Sequence, residues 1–254
     1  MAEWAGAEQG ARLLAGRIRE QRERLALLEG AVRDAEADAV HQMRIACRRL
    51  RGALRAYGAE FAGVGGELRW LGGVLGEERD CEVQGELLVA AARELPAELG
   101  PERVAEWLGQ WRAERAGRAR TATLLALDSE RYAALRHRLA ELPGEATPVR
   151  TLRALAHRER RRARRLLVAG ATDEQLHRAR KAAKWARYLG EVGGPEAFTG
   201  RMKAWQDQLG RHQDSVVARA ALRELAGRPG ADPFPLGVLY ARQLAVAEET
   251  RVSR

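Results

Sequence analysis

The sequence predicts an all-α protein made of two pseudo-symmetric antiparallel helical bundles with a basic channel between them. Three observations predict it. Apolar residues recur at helical spacing along almost the whole chain. Sustained apolar/polar alternation is missing and aromatics make up only 5% of residues, which leaves little support for strands. A basic helical stripe occurs twice, 136 residues apart, as an internal duplication would produce.

The elements follow in order. Residues 3–29 carry Leu13, Leu14, Ile18, Leu25 and Leu28 among charges, and residues 38–57 hold the first stripe. Helical patterns then cover about 67–94, 102–127 and 129–142. Pro143-Gly144-Glu145-Ala146-Thr147-Pro148 is the clearest breaker. Beyond it, helices are expected over 149–168, 173–192, 196–226 and 235–250, with Thr172-Asp173-Glu174 and Pro195 as start signals. The two repeats would be residues 3–142 and 149–250.

The stripe carries the most information. Its first copy runs Val40-His41-Gln42-Met43-Arg44-Ile45-Ala46-Cys47-Arg48-Arg49-Leu50-Arg51-Gly52-Ala53-Leu54-Arg55. The second runs Leu176-His177-Arg178-Ala179-Arg180-Lys181-Ala182-Ala183-Lys184-Trp185-Ala186-Arg187. A shift of 136 lays His41 on His177, Arg44 on Arg180, Arg48 on Lys184 and Arg51 on Arg187. That spacing places the side chains on one side of a helix. Each is preceded by a small or apolar residue: Val40, Met43, Cys47 and Leu50, then Leu176, Ala179, Ala183 and Ala186. The cationic row is therefore turned about 100° from the packing row. A solvated basic face would lie opposite the core, whereas a row beside it suits the lining of a groove. Arg49 and Lys181 flank the rows. Arg55 maps onto Glu191, so the second row is shorter.

A second block repeats as well. Leu75-Gly76-Glu77-Glu78-Arg79-Asp80 matches Leu209-Gly210-Arg211-His212-Gln213-Asp214 at an offset of 134. Asp80 and Asp214 read as structural support, carboxylates that pair with an Arg of the stripe and limit repulsion. A plainer alternative makes them caps at a helix break after Gly76 and Gly210.

Charge placement points to a polyanion. The net charge is +9, and residues 150–191 alone hold 13 Lys or Arg against four acids. Only three of the 44 basic residues are Lys, and Arg grips phosphate bidentately, though GC-rich codon usage would also raise the Arg share. Cys47 and Cys81 have no metal-ligand spacing, and Cys47 falls on the packing row as an inert thiol. No uncharged run approaches membrane-spanning length and no apolar signal core opens the chain, so a soluble cytoplasmic protein is expected.

These four motifs together resemble the CHAD family, the conserved histidine α-helical domain: His-x-x-Arg-x-x-x-Arg-Arg-x-Arg at His41–Arg51, Leu-Gly-x-x-Arg-Asp at Leu75–Asp80, Leu-His-x-x-Arg-Lys-x-x-Lys-x-x-Arg-Tyr at Leu176–Tyr188, and Leu-Gly-x-x-Gln-Asp at Leu209–Asp214. The resemblance covers roughly residues 5–245. It implies two four-helix bundles whose basic helices line a central pore for inorganic polyphosphate, in the cytoplasm and on polyphosphate granules. Many members add a CYTH-type tunnel domain marked by Glu-x-Glu-x-Lys. That motif is missing here, so the likeness is to a stand-alone member.

The expected polyphosphate-binding residues are His41, Arg44, Arg48, Arg49, Arg51, Arg55, His177, Arg180, Lys181, Lys184 and Arg187. A further row on 149–168 adds Arg153, His157, Arg160 and Arg164. Other phosphate or sulfate anions share the chemistry. A histidine facing phosphate could protonate near neutral pH and join the row. No cofactor or metal is expected, since each half offers one His and one Asp and divalent sites need three or four ligands. No phosphate loop, His-Glu-x-x-His or Gly-x-Ser-x-Gly occurs, and no enzyme activity is expected. The alternative is a nucleic-acid-binding helical module, which would call for base-stacking or base-reading side chains that the stripes lack apart from Trp185 and Tyr57 at their edges. A polyphosphatase is a weaker third.

Overall fold

The computed structural model describes residues 3–142 and 148–251, and most of the expected breaker at 143–148 lies outside them. Nine α-helices and no strand occur among the described residues: α1 Ala7–Arg33, α2 Ala39–Leu54, α3 Ala62–Arg93, α4 Pro101–Leu127, α5 Glu130–Ala140, α6 Leu152–Leu166, α7 Asp173–Gly193, α8 Glu196–Ala226 and α9 Pro233–Thr250. The all-α expectation holds, and each expected helix is found within a few residues of its expected bounds.

Local chemistry sets several starts. Ser129 caps α5, its hydroxyl accepting from the Tyr132 N–H at 3.2 Å. Thr172 and Gln175 form a reciprocal capping box before α7, with contacts of 3.2 and 2.8 Å. Asp232 caps α9, and Pro233 follows where its missing N–H costs nothing.

The chain divides into two compact units. One comprises the chain up to Asp80, Ala116–Glu159 and Trp185–Gly200; the other comprises Cys81–Arg115, Arg160–Lys184 and the chain from Arg201 on. Each unit draws on both halves of the sequence, because the long helices serve both. The 32 residues of α3 span about 48 Å, more than one small core needs.

In the first unit the buried residues include Leu14, Ile18 and Leu25 of α1, Met43, Cys47 and Leu50 of α2, and Leu68, Leu71 and Leu75 of α3. Tyr132 and Leu135 of α5 and Leu152 and Leu155 of α6 are also buried. The second unit has a cluster of Leu88, Leu95, Leu108, Trp111, Leu222, Leu225, Leu236 and Leu239. In a smaller group, Ala163 of α6 packs with Ala182 and Ala183 of α7. No helix is long and apolar enough to cross a membrane among the described residues.

Candidate anion-binding site

The depth of the α2 row follows from its phase. Val40, Met43, Cys47, Leu50 and Leu54 are buried, and His41, Arg44, Arg48 and Arg51, each one residue later, are half-buried. Their aliphatic stems thus lie against the core while the charged ends reach its margin. Arg44 donates to Asp80 at 2.8 Å; its side chain is 23% exposed and that of Asp80 58%. Its guanidinium lies over Gly76, where a Cβ would sit 3.3 Å from Cζ. Burial, and next the charge of Arg69, lowers the Arg51 pKa.

Other members of the first unit meet around the end of α7. Glu191 lies 3.5 Å from Arg187 and 3.9 Å from Arg49, so the acid that shortens the second row stands between two of the expected cations. Arg55 is exposed and stacks 3.7 Å over the ring of Trp185. Trp185 is buried and donates its indole N–H to the Gly52 carbonyl at 2.9 Å.

The second unit repeats the local pattern on the first half of α7. Leu176, Ala179 and Ala183 are buried; His177, Arg180 and Lys184 are half-buried; Lys181 is exposed. Arg180 lies over Gly210, where a Cβ would be 3.6 Å from Nε. Asp214 is exposed on α8. Gly76 and Gly210 sit inside the unbroken helices α3 and α8, which corrects the suggestion of a helix break after them. Each is a seat for the first Arg of a row, and this is a physical reason for the repeated Leu-Gly.

The two row histidines share a state. His41 and His177 are half-buried, and the Nδ1 of each is buried without a hydrogen-bond partner among the described residues. Burial is the main cause that lowers both pKa values below the usual range. Arg79 adds to it at His41. Lys181 adds to it at His177, against an opposing hydrogen bond with Gln213. In the free protein both rings are held toward the neutral form.

The α6 residues separate by position. Arg153 and Arg164 are exposed and Arg160 is half-buried. His157 packs among aromatics, with ring centroids 5.9 Å from Trp4 and 5.3 Å from Phe198. Glu159, which the sequence reading passed over, is buried at 3% exposure with Arg158 3.5 Å away. Its signal was available: it is the one acid in α6 and stands in phase with Leu152, Ala156 and Ala163.

A further cluster went unread. His212, 1% exposed, bonds Asp173 at 3.0 Å and the Ala247 carbonyl at 3.2 Å, while Arg219 and Arg251 approach Asp173 at 3.2 and 3.5 Å. Burial would raise the Asp173 pKa, but the bond to His212 and the charges of His212 and Arg219 hold it below its usual value. This cluster ties the start of α7 to α8 and the end of α9. Burial raises the Cys47 thiol to about 12, well away from a reactive thiolate. No group of three or more His, Cys, Asp or Glu that could hold a metal ion occurs among the described residues.

Comparison with known proteins fits this architecture. The family model for the CHAD domain matches residues 16–223. Two uncharacterized proteins of Mycobacterium tuberculosis, one from each of two strains, are 36% identical over 92% of the chain. The chain spans about half of their length, 50% in each case. PptA from Streptomyces chartreusis superposes with a TM-score of 0.79 at 24% identity, covering 94% of this chain and 95% of that one. The CHAD domain from the plant Ricinus communis gives 0.70 at 24% identity, covering 98% and 89%. On the extent of the family match and the identity to these relatives, the chain belongs to the CHAD domain family.

Proposed function

We propose that this CHAD domain binds inorganic polyphosphate noncovalently through the half-buried cationic rows of α2 and α7, and performs no chemistry on it. The family is associated with polyphosphate. The observation that carries the proposal is the depth of the rows: His41, Arg44, Arg48, Arg51, His177, Arg180, Lys184 and Arg187 are all half-buried beside packing residues. An exposed ion pair contributes only about 0–1 kcal/mol. Many cations held at the margin of a core, with their stems already ordered, give a flexible anion more than the same number on a mobile surface. Asp80 is engaged with Arg44, which suits positioning better than activation of a nucleophile. The ligand would be met in the cytoplasm, polyphosphate granules included.

The deciding experiment titrates the protein with long-chain polyphosphate, duplex DNA and single-stranded DNA at matched phosphate concentration and physiological salt. Polyphosphate should bind tightest, and all three should weaken with salt as counterions are released. DNA binding as tight or tighter would replace this proposal with the nucleic-acid module.

A further inference from the structure

Glu191 stands among the cations of the first unit, and its position calls for an explanation. It lies in the last turn of α7, where a carboxylate meets the negative end of the helix dipole and its own helix disfavours it. It approaches two arginines from different helices, at 3.5 Å from Arg187 Nε and 3.9 Å from Arg49 Nη2, and all three side chains are partly buried. Neither contact is a hydrogen bond. The Arg187 Nε is buried with no hydrogen-bond partner among the described residues, and 3.9 Å is beyond hydrogen-bond reach. Asp80, by contrast, accepts from Arg44 at 2.8 Å. Glu191 thus compensates charge and leaves guanidinium donors unused. The two arginines do not need it for their placement. Helices α2 and α7 meet at Gly52, where a Cβ would stand 3.4 Å from Trp185 Cδ1 and 3.5 Å from Tyr188 Cδ2, and the Trp185 indole donates to the Gly52 carbonyl. Arg49 lies about one turn before that junction and Arg187 falls between its two aromatic residues.

We propose that Glu191 is a tethered competitor of the ligand. In the free protein its carboxylate occupies Arg187 and Arg49, and an arriving polyphosphate displaces it. This one acid therefore holds the affinity of the site below what its cations alone would give. This rests on the polyphosphate reading above. A phosphate oxygen brought to the same guanidiniums accepts the hydrogen bonds that the carboxylate leaves unmade, and charge-assisted hydrogen bonds are stronger than a long ion pair. Carboxylate and phosphate repel each other over one pair of arginines. The partly exposed Glu191 side chain can relieve that repulsion by turning into solvent, while packing at Gly52 keeps the arginines where they are.

The test titrates wild type, Glu191→Gln and Glu191→Ala with long-chain polyphosphate across a salt series. Both variants should bind about fivefold more tightly than wild type, or better. Their salt dependence should be steeper, because two more cations contact phosphate in place of the carboxylate. Glu196→Gln makes the same change of net charge at an exposed acid of α8 and should stay within about twofold of wild type. In an R49A/R187A background, Glu191→Gln should change affinity by less than about twofold, since the arginines it competes for are gone. Unchanged helix content by circular dichroism confirms that each variant is folded. Weaker or unchanged binding by Glu191→Gln and Glu191→Ala would make Glu191 a support for the arginines or a bystander, and would overturn the proposal. So would an equal gain in Glu196→Gln, which would reduce the effect to net charge, or a full gain in the R49A/R187A background. If neither wild type nor Glu191→Gln binds polyphosphate, the underlying function is wrong, and that result is distinct from all of these.

Discussion

Gly76→Ala should make the protein more stable and a poorer polyphosphate binder. Gly76 lies inside α3, and Gly in a helix interior is about 0.8–1.0 kcal/mol less favourable than Ala. The new Cβ would lie 3.3 Å from Arg44 Cζ and 3.4 Å from Nε and Nη2, so the guanidinium must shift by a few tenths of an ångström. That end of the side chain is flexible, and its movement removes little of the helix gain. It does disturb the 2.8 Å contact with Asp80 and the orientation of one member of the row. Loss of one such contact is worth about 0.5–1 kcal/mol, a two- to fivefold weaker binding. Gly210→Ala is the internal control. There the nearest Arg180 atom is 3.6 Å away, an ordinary van der Waals contact, so the helix gain comes without displacement. Thermal melts followed by circular dichroism should rise for both variants, by about 2–4 °C per kcal/mol for a chain of this size. Polyphosphate titration should weaken for Gly76→Ala alone, and Gly76→Ala added to Arg44→Ala should cost nothing more, because both act on one contact. If Gly210→Ala binds worse while Gly76→Ala binds like wild type, the seating of the two arginines is wrong.

Other outcomes follow from the same geometry. R44A/R48A/R51A and R180A/K184A/R187A should each lower polyphosphate affinity by roughly tenfold or more, at about 0.5–1 kcal/mol per cation, without loss of helix content; wild-type binding by either triple would remove that row from the site. His41 and His177 titrate below the unfolded value of about 6.5, so the unfolded chain takes up protons first and the two rings cost stability as pH falls below that value. The melting temperature should therefore drop on acidification, polyphosphate affinity should rise over the same range, and His41→Gln with His177→Gln should flatten both trends. Orthophosphate release from polyphosphate or ATP with Mg²⁺ or Mn²⁺ should stay at background. Turnover that vanishes in Asp80→Asn or Asp214→Asn would turn a binding site into an active site.

How far each residue could be read depended on the range of the interactions that place it. The nine helices and the half-burial of both rows were legible, since periodicity is local and each row residue stands one position after a packing residue. Glu159 was legible too, by phase, although an acid in a packing position reads against expectation. Other placements needed contacts between distant segments. Nothing near Gly76 or Gly210 in sequence indicates that an arginine 30 or so positions earlier will rest on it. Glu191 was seen as an interruption of the second row, yet folding sets it beside both Arg49 and Arg187.

The sequence by itself determined the all-α class, the order of the helices, the duplicated motifs and which helix faces are cationic, because backbone propensity and apolar phase act over a few turns. The tertiary structure decided the depth and company of each cation: Arg55 stacked on Trp185, His157 held among Trp4 and Phe198, Arg160 half-buried while Arg153 and Arg164 face solvent. It also drew Asp173 to His212 across 39 positions. Burial, stacking and shifted pKa values arise from atoms that long-range packing brings together, and a helical period carries no record of which distant segment will cover a given face.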